Sequence, residues 1–345
     1  MTRQTPAFPY EASATAKHPF RDVRLHVVTG KGGTGKTTVA AALAIALAAG
    51  GLRVLLAEVE GRQGIAQLFD CPPLPYEERK VASAPGAGEV FALAVDPEEA
   101  LLEYLEMFYN MRLAGRTLKK MGAIDFATTI APGMRDVLLT GKVKEAVTRE
   151  DRKRRTGQAY DAVVMDAPPT GRITRFLNVT TEVAGLARVG PIRTQADSVM
   201  AVLRSKKSAV HLVTLLEEMP VQETVDGVSE LRSAELPVGA VLVNRTRDPL
   251  LSEADLAAAE AGGLDRAELA AGLKAAGIEA DEPMLDTLTA EAADHARRVA
   301  LEQEERGALE QLQRPTYELP QLPDSVDLGG LYRLAELLTE QGMAG

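Results

Sequence analysis

The sequence predicts an α/β domain: a mostly parallel sheet with helices on both faces and an inserted α-helical subdomain. Three observations predict it. Short, near-continuous apolar runs recur between helical stretches, the pattern of parallel strands buried on both faces. A glycine-rich loop joins the first run directly to a helix. Two long stretches without strand signals, about 97–148 and 173–208, read mostly as helix and are large enough to form the subdomain. The elements follow in order. Residues 24–29 (RLHVVT) form a β-branched strand, and the helix over 37–49 ends at Gly50-Gly51, as helices commonly end at glycine. Further strands fall at 53–58, 90–95, 162–166, 210–214 and 238–244, with a short last one at 316–319. Residues 255–312, rich in Ala, Glu and Leu, read as several surface helices, and 326–341 as a packed final helix.

Composition removes whole classes of function. The net charge of −10 offers no global field for nucleic acid or anionic lipid. A single cysteine, Cys71, excludes a disulfide framework and any zinc or soft-metal site built from several thiolates of one chain. Absent tryptophan and only 4% aromatic residues argue against base-stacking platforms. The most apolar run, 39–51, is well short of the roughly 20 residues of a spanning helix. Residues 1–22 mix Pro, Thr, Ala and charge without the apolar core of a signal peptide, and read as a disordered tail. The expectation is a single cytoplasmic domain over 23–345, with no nucleic acid and no direct membrane insertion. The basic run 149–155 (REDRKRR) reads as a solvated loop before a strand.

The strongest motif is Gly30-Lys31-Gly32-Gly33-Thr34-Gly35-Lys36-Thr37, with Thr38 following, between a strand and a helix. Glycines let backbone N–H groups curl around an anion, and the helix N-terminus adds partial positive charge. Lys36 can reach the β- and γ-phosphates of a nucleotide, and the Thr37 hydroxyl can ligand Mg²⁺. This is a P-loop for ATP or ADP with Mg²⁺; no N-K-x-D guanine signature is seen. At the end of the strand over 162–166, Asp166 faces the ligand crevice of such a sheet, where it can hold a Mg²⁺-bound water beside Thr37.

Lys31, just after the first glycine, makes the loop similar to the deviant Walker A loop of the MinD, ParA, nitrogenase iron protein and arsenite-pump ATPase group. Asp166-Ala167-Pro168-Pro169-Thr170-Gly171-Arg172 resembles the switch II block of the arsenite-pump and tail-anchored-protein-targeting ATPases, often described as anion-transporting ATPases, with Pro168 where alanine is usual. Val243-Asn244-Arg245 resembles that family's adenine-reading asparagine. Pro320, Leu322 and Pro323 resemble its adenine-capping loop, and Ile130-Ala131-Pro132-Gly133 an element beside the nucleotide. The likeness runs from about 23 to 341 and is closest to bacterial members found as adjacent paralogous pairs. It implies a dimeric ATPase, as a homodimer or with a paralogous ATPase, in which Lys31 reaches the other subunit's phosphates.

Departures matter as well. Glu60 stands where the family has the aspartate that positions water, and Gly61 replaces the following proline, so the reach of the carboxylate changes. Glu58 is a second acid close by. The paired cysteines for arsenite or zinc have no match, and Cys71 reads as a small semi-buried residue. The segment 101–111 is more apolar than a one-faced helix needs, and six of the ten methionines lie in or beside the insertions. In the targeting ATPases this place holds a hydrophobic client helix; plain core packing is the competing explanation. A weakly hydrolysing regulatory or scaffold subunit working through a paralogue is the rival function.

Overall fold

The computed structural model describes residues 18–109, 132–154, 156–178, 191–323 and 326–344. Alternation along β1 (Leu25–Gly30) sets the layers: Leu25 and Val27 enter one core, Val28 the other, and every residue of the strand is buried. Seven more strands join it: β2 (Arg53–Glu58), β3 (Arg79–Ala84), β4 (Gly88–Ala94), β5 (Ala162–Asp166), β6 (Ser208–Thr214), β7 (Val238–Thr246) and β8 (Thr316–Pro320). The order is β3-β4-β2-β5-β1-β6-β7-β8, parallel throughout except for the β3–β4 pair. The chain runs from β1 outward to β2 and β4, returns to β5, then crosses to β6 on the other side. The carboxyl ends of β1, β5 and β6 therefore meet at a switch point, where open α/β sheets take ligands.

One face carries α1 (Lys36–Ala48), α2 (Gly64–Leu68) and, at the end of the chain, a helix over Leu328–Glu340. Helix α1 is apolar all round because it is enclosed all round: from Val39 to Ala46 every side chain is buried. The other face carries α3 (Pro97–Tyr109), α4 (Pro132–Thr148), α5 (Thr170–Leu177), α6 (Pro191–Leu203) and α7 (Glu218–Ser233), with Val143, Phe176, Val199 and Leu231 in its core. Beyond β7 come α8 (Glu253–Glu260), α9 (Arg266–Ala275) and the long α10 (Glu282–Glu310); the helix over 328–340 is α11.

Several expectations meet the structure differently. Strand β3 was not expected, because Arg79–Ala84 alternates buried Ala82 and Ala84 with polar residues and holds one β-branched residue. The second helical stretch begins at Thr170, and its expected end, Ser208, is the first residue of β6. Of the expected tail, 1–17 lies outside the described residues, while Phe20 is buried edge-on to the His211 ring. The basic run is not simply a solvated loop. Arg149 makes a paired contact to Glu78 (2.9 and 2.6 Å) and Arg154 binds Asp161 (2.7 Å), both half-buried. Of the apolar segment 101–111, Leu101 and Tyr104 pack against Leu138 as core; Met111 and Met121 lie outside the described residues.

Candidate phosphate-binding site

The loop after β1 is shaped by two glycines that nothing else could replace. Gly30 has φ 154°, and a Cβ there would overlap the Val213 carbonyl of β6; Gly35 has φ 86°, and a Cβ would overlap the Asn244 amide. Between them Thr34 folds back, its Oγ1 donating to the Lys31 carbonyl at 2.9 Å, and Lys36 Nζ donates to the same carbonyl at 3.3 Å. Added Cβ atoms at Gly32 and Gly33 would meet nothing within 4 Å, so open space lies beside the tip of the loop. Helix α1 starts with no side-chain cap and no acidic residue in its first turn, which leaves its N–H groups to an anion. Burial pulls the Lys36 ammonium below its usual range, opposed chiefly by the Asp166 and Glu60 charges. Thr38 follows half-buried in the same first turn.

Asp166 ends β5 beside the loop, and Thr37 Oγ1 donates to its Oδ2 at 2.7 Å. Its carboxyl is 8% exposed, and burial pushes it up to about 6; the Thr37 hydrogen bond and Lys36 oppose the rise, while Glu58 and Glu60 add to it. Glu58 pairs in register with Asp166 across β2 and β5 and is 1% exposed. Its Oε2 accepts the Ile65 N–H at 3.3 Å, whereas Oε1 is buried without a hydrogen-bond partner among the described residues. A hydroxyl, a carboxylate and an unpartnered carboxylate oxygen are the hard donors that Mg²⁺ takes. The residues fit the ion. No group of three or more His, Cys, Asp or Glu among the described residues could hold a metal, so nucleotide oxygens and water would complete the shell. Glu60 lies just past β2, 3.4 Å from Arg62, with its charge felt at both Lys36 and Asp166.

On the far side, the β7–β8 register shifts between Val243 and Thr246, with Arg245 at φ 58°; this bulge accompanies the inward turn of Asn244. Asn244 is 6% exposed and donates to the Thr34 carbonyl at 2.8 Å, so it braces the phosphate loop. Pro320 ends β8 beside Thr246, and the Gln321 N–H bonds the Thr246 carbonyl, so the 320–323 segment leaves the sheet close to Asn244. Pro320, Leu322 and Pro323 line a cavity of about 380 Å³ with Arg247, His295 and Arg298. Lys31 points elsewhere: its Nζ sits 3.0 Å from Glu223 on α7, and the other Glu223 oxygen accepts from Thr170 Oγ1 at 3.0 Å. Glu223 escaped the sequence, since it sits on an ordinary amphipathic helix nearly two hundred residues from the loop it serves.

A family model described as anion-transporting ATPase matches residues 23–206, more than half of the chain and all of the loop, Glu60 and Asp166. The chain belongs to the anion-transporting ATPase family. The family's relatives include ATPase BagA of Mycobacterium tuberculosis, 55% identical over 321 residues, or 93% of this chain and 94% of that protein. ATPase GET3 of Kluyveromyces lactis is 27% identical over 63% of this chain and 70% of its own length. The arsenical pump-driving ATPase of Acidiphilium multivorum is 26% identical over 67% of this chain and 41% of its own. The anion-transporting ATPase fold explains the eight-stranded, mostly parallel sheet, and the chain is an ATP hydrolase of that family. No helix among the described residues is long and apolar enough to cross a membrane.

Proposed function

We propose that this ATPase binds ATP or ADP with Mg²⁺ and works in the cytoplasm as a dimer, its nucleotide state setting the helical subdomain's grip on a protein partner. One observation carries this reading: the Thr37–Asp166 hydrogen bond ties the phosphate loop to the strand end that leads, four residues later, into α5. Lys36 would hold the β- and γ-phosphates, and Asn244, Pro320, Leu322 and Pro323 would flank the base. Thr37 and Asp166 would hold Mg²⁺, directly and through water, and the ion supplies charge neutralisation between the phosphates. Lys31 would leave its own subunit and place its charge on the partner's γ-phosphate, where negative charge develops. Glu60 would orient the attacking water. The client would be a hydrophobic protein segment, and the dimer either two copies or a pair with a paralogous ATPase. Amide exchange with ADP, with a non-hydrolysable ATP analogue and without nucleotide tests it. Protection should change over about 100–145 and 171–208; change confined to the loop and the 166–172 segment defeats the client reading.

The Glu60–Arg62 ion pair favours a second reading, a subunit of low turnover, because a carboxylate held by an arginine is a poorer water ligand. Arg62 is 71% exposed, so the pair is weak and easily released. Steady-state phosphate release by the isolated chain separates the two: turnover that rises only when a paralogue is added supports the regulatory subunit.

A further inference from the structure

Glu223 has no role in the reading above, yet it touches two parts of the site at once. Its Oε1 lies 3.0 Å from Lys31 Nζ, and its Oε2 accepts the Thr170 hydroxyl at 3.0 Å. The two partners belong to the phosphate loop and to the first residue of α5, the segment that follows Asp166. The approach is built into α7. Gly227, one turn after Glu223 on the same face, offers no Cβ, so Leu212 and the buried Thr170 side chain come close to its backbone. A second tie, Thr174 Oγ1 to Glu230 Oε2 at 3.1 Å, repeats the contact further along both helices. Glu223 also projects its charge to Lys36, so its carboxylate stands within the field of the phosphate cleft.

We propose that Glu223 is a positioning residue: a counter-ion that keeps Lys31 on its own subunit and couples the lysine's departure to Thr170 at the start of α5. This rests on the dimer reading of Lys31. An ammonium paired at 3.0 Å has to exchange one carboxylate for the partner's phosphate before it acts there. When Lys31 leaves, Glu223 keeps only the Thr170 hydroxyl, and the uncompensated carboxylate pulls on, or releases, the first turn of α5. The signal reaches α5 by a route separate from the Thr37–Asp166 bond. The side chains are 29% and 35% exposed, so the pair is breakable at ordinary salt.

The test is a double-mutant cycle on the full chain. Glu223→Gln keeps an acceptor for Thr170 and removes the charge; Lys31→Ala removes its partner. Sedimentation with Mg²⁺ and a non-hydrolysable ATP analogue gives the protein concentration for half-maximal dimerisation, and turnover at low enzyme concentration is read in parallel. Glu223→Gln should dimerise at a 3- to 10-fold lower concentration than the wild type, with turnover raised at low enzyme concentration. In the Lys31→Ala background the same change should shift dimerisation less than about twofold. Thr170→Val, which keeps the ion pair, should leave the dimerisation midpoint in place and weaken the change in α5 protection on analogue binding. A shift that persists undiminished without Lys31 assigns Glu223 a general electrostatic role and overturns the proposal. Wild-type dimers with no shift in Glu223→Gln overturn the proposal alone. A wild type that stays monomeric with the analogue overturns the dimer reading and the proposal together.

Discussion

At the scale of single residues, the proposed roles divide into groups that bind and groups that act later. Lys36 sits inside the loop, desolvated and beside Asp166, so its charge is prepaid for an anion. Lys36→Ala should remove most affinity for ATP, at least 100-fold by calorimetry, with the fold intact by circular dichroism; equal affinities defeat the assignment. Lys31 lies outside that ground-state cradle, paired with Glu223. Lys31→Ala should therefore change ATP affinity less than about threefold and lower kcat at least tenfold, the signature of an interaction made in the transition state. Proportional loss of both marks it as a ground-state contact. Gly35 supplies a different kind of evidence. At φ 86°, with Asn244 where a Cβ would stand, Gly35→Ala should disturb both the loop and its brace. Combining it with Asn244→Ala relieves the overlap but not the strain, so nucleotide affinity should recover only in part.

At the scale of elements, what could be read in the sequence was what lies close together in it. The loop from Gly30 to Thr37 is one contiguous run whose glycines, Lys36 and Thr37 form a single recognisable pattern, and the 166–172 block is another; both stand at strand ends, as their spacing suggests. Strand β3 was hidden because it is an edge: it needs only one buried face, and Ala82 and Ala84 satisfy that without β-branched residues. Glu223 was hidden because its partner is set by the β1–β6 crossing and not by spacing. The basic run misled for a similar reason. Arg149 reaches Glu78, seventy residues earlier, and Glu78 also accepts the Tyr160 hydroxyl at 2.7 Å, bolting α4 to the sheet edge. Arg149→Met, which keeps bulk but leaves Glu78 to Tyr160 alone, should destabilise the fold by about 1–3 kcal/mol in urea unfolding without altering nucleotide affinity. Loss of affinity at unchanged stability gives Arg149 a part in the site instead.

For the whole molecule, stability against acid turns on two histidines in the middle of the sheet. His26 of β1 and His211 of β6 are both fully buried, with Nδ1 of the first 3.1 Å from Nε2 of the second. The Ala240 N–H donates to His211 Nδ1, so that nitrogen is an acceptor and His211 carries its proton on Nε2. That proton goes to His26 Nδ1, which leaves the His26 proton on Nε2. The ring-to-ring hydrogen bond holds only while both rings are neutral, since a second proton would put two donors face to face. Burial pushes His26 down to about 4, with the Val23 carbonyl opposing, and pushes His211 well down, with the His26 charge adding to the effect. The sign follows from linkage. The unfolded chain takes up protons at its histidines as pH falls through 6.5, whereas the folded chain refuses one at His26 until near 4 and one at His211 until well below 6.5, so stability is lost on acidification. One unit below 6.5 His26 removes on the order of 1 kcal/mol, and His211 acts in the same direction. Asp166 works the other way. Its raised pKa lets the folded chain bind a proton first, so below about 6 it returns a little under 1 kcal/mol at the same pH. Urea unfolding of the nucleotide-free protein should therefore show stability falling gently from pH 7.5 to 6 and more steeply from 6 toward 5, with Asp166 offsetting part of the loss. His26→Asn offers an acceptor near the Nδ1 position and cannot titrate; with His211→Asn added, the decline between pH 7.5 and 6 should shrink to less than half. An undiminished decline in the double variant places the acid sensitivity outside the sheet.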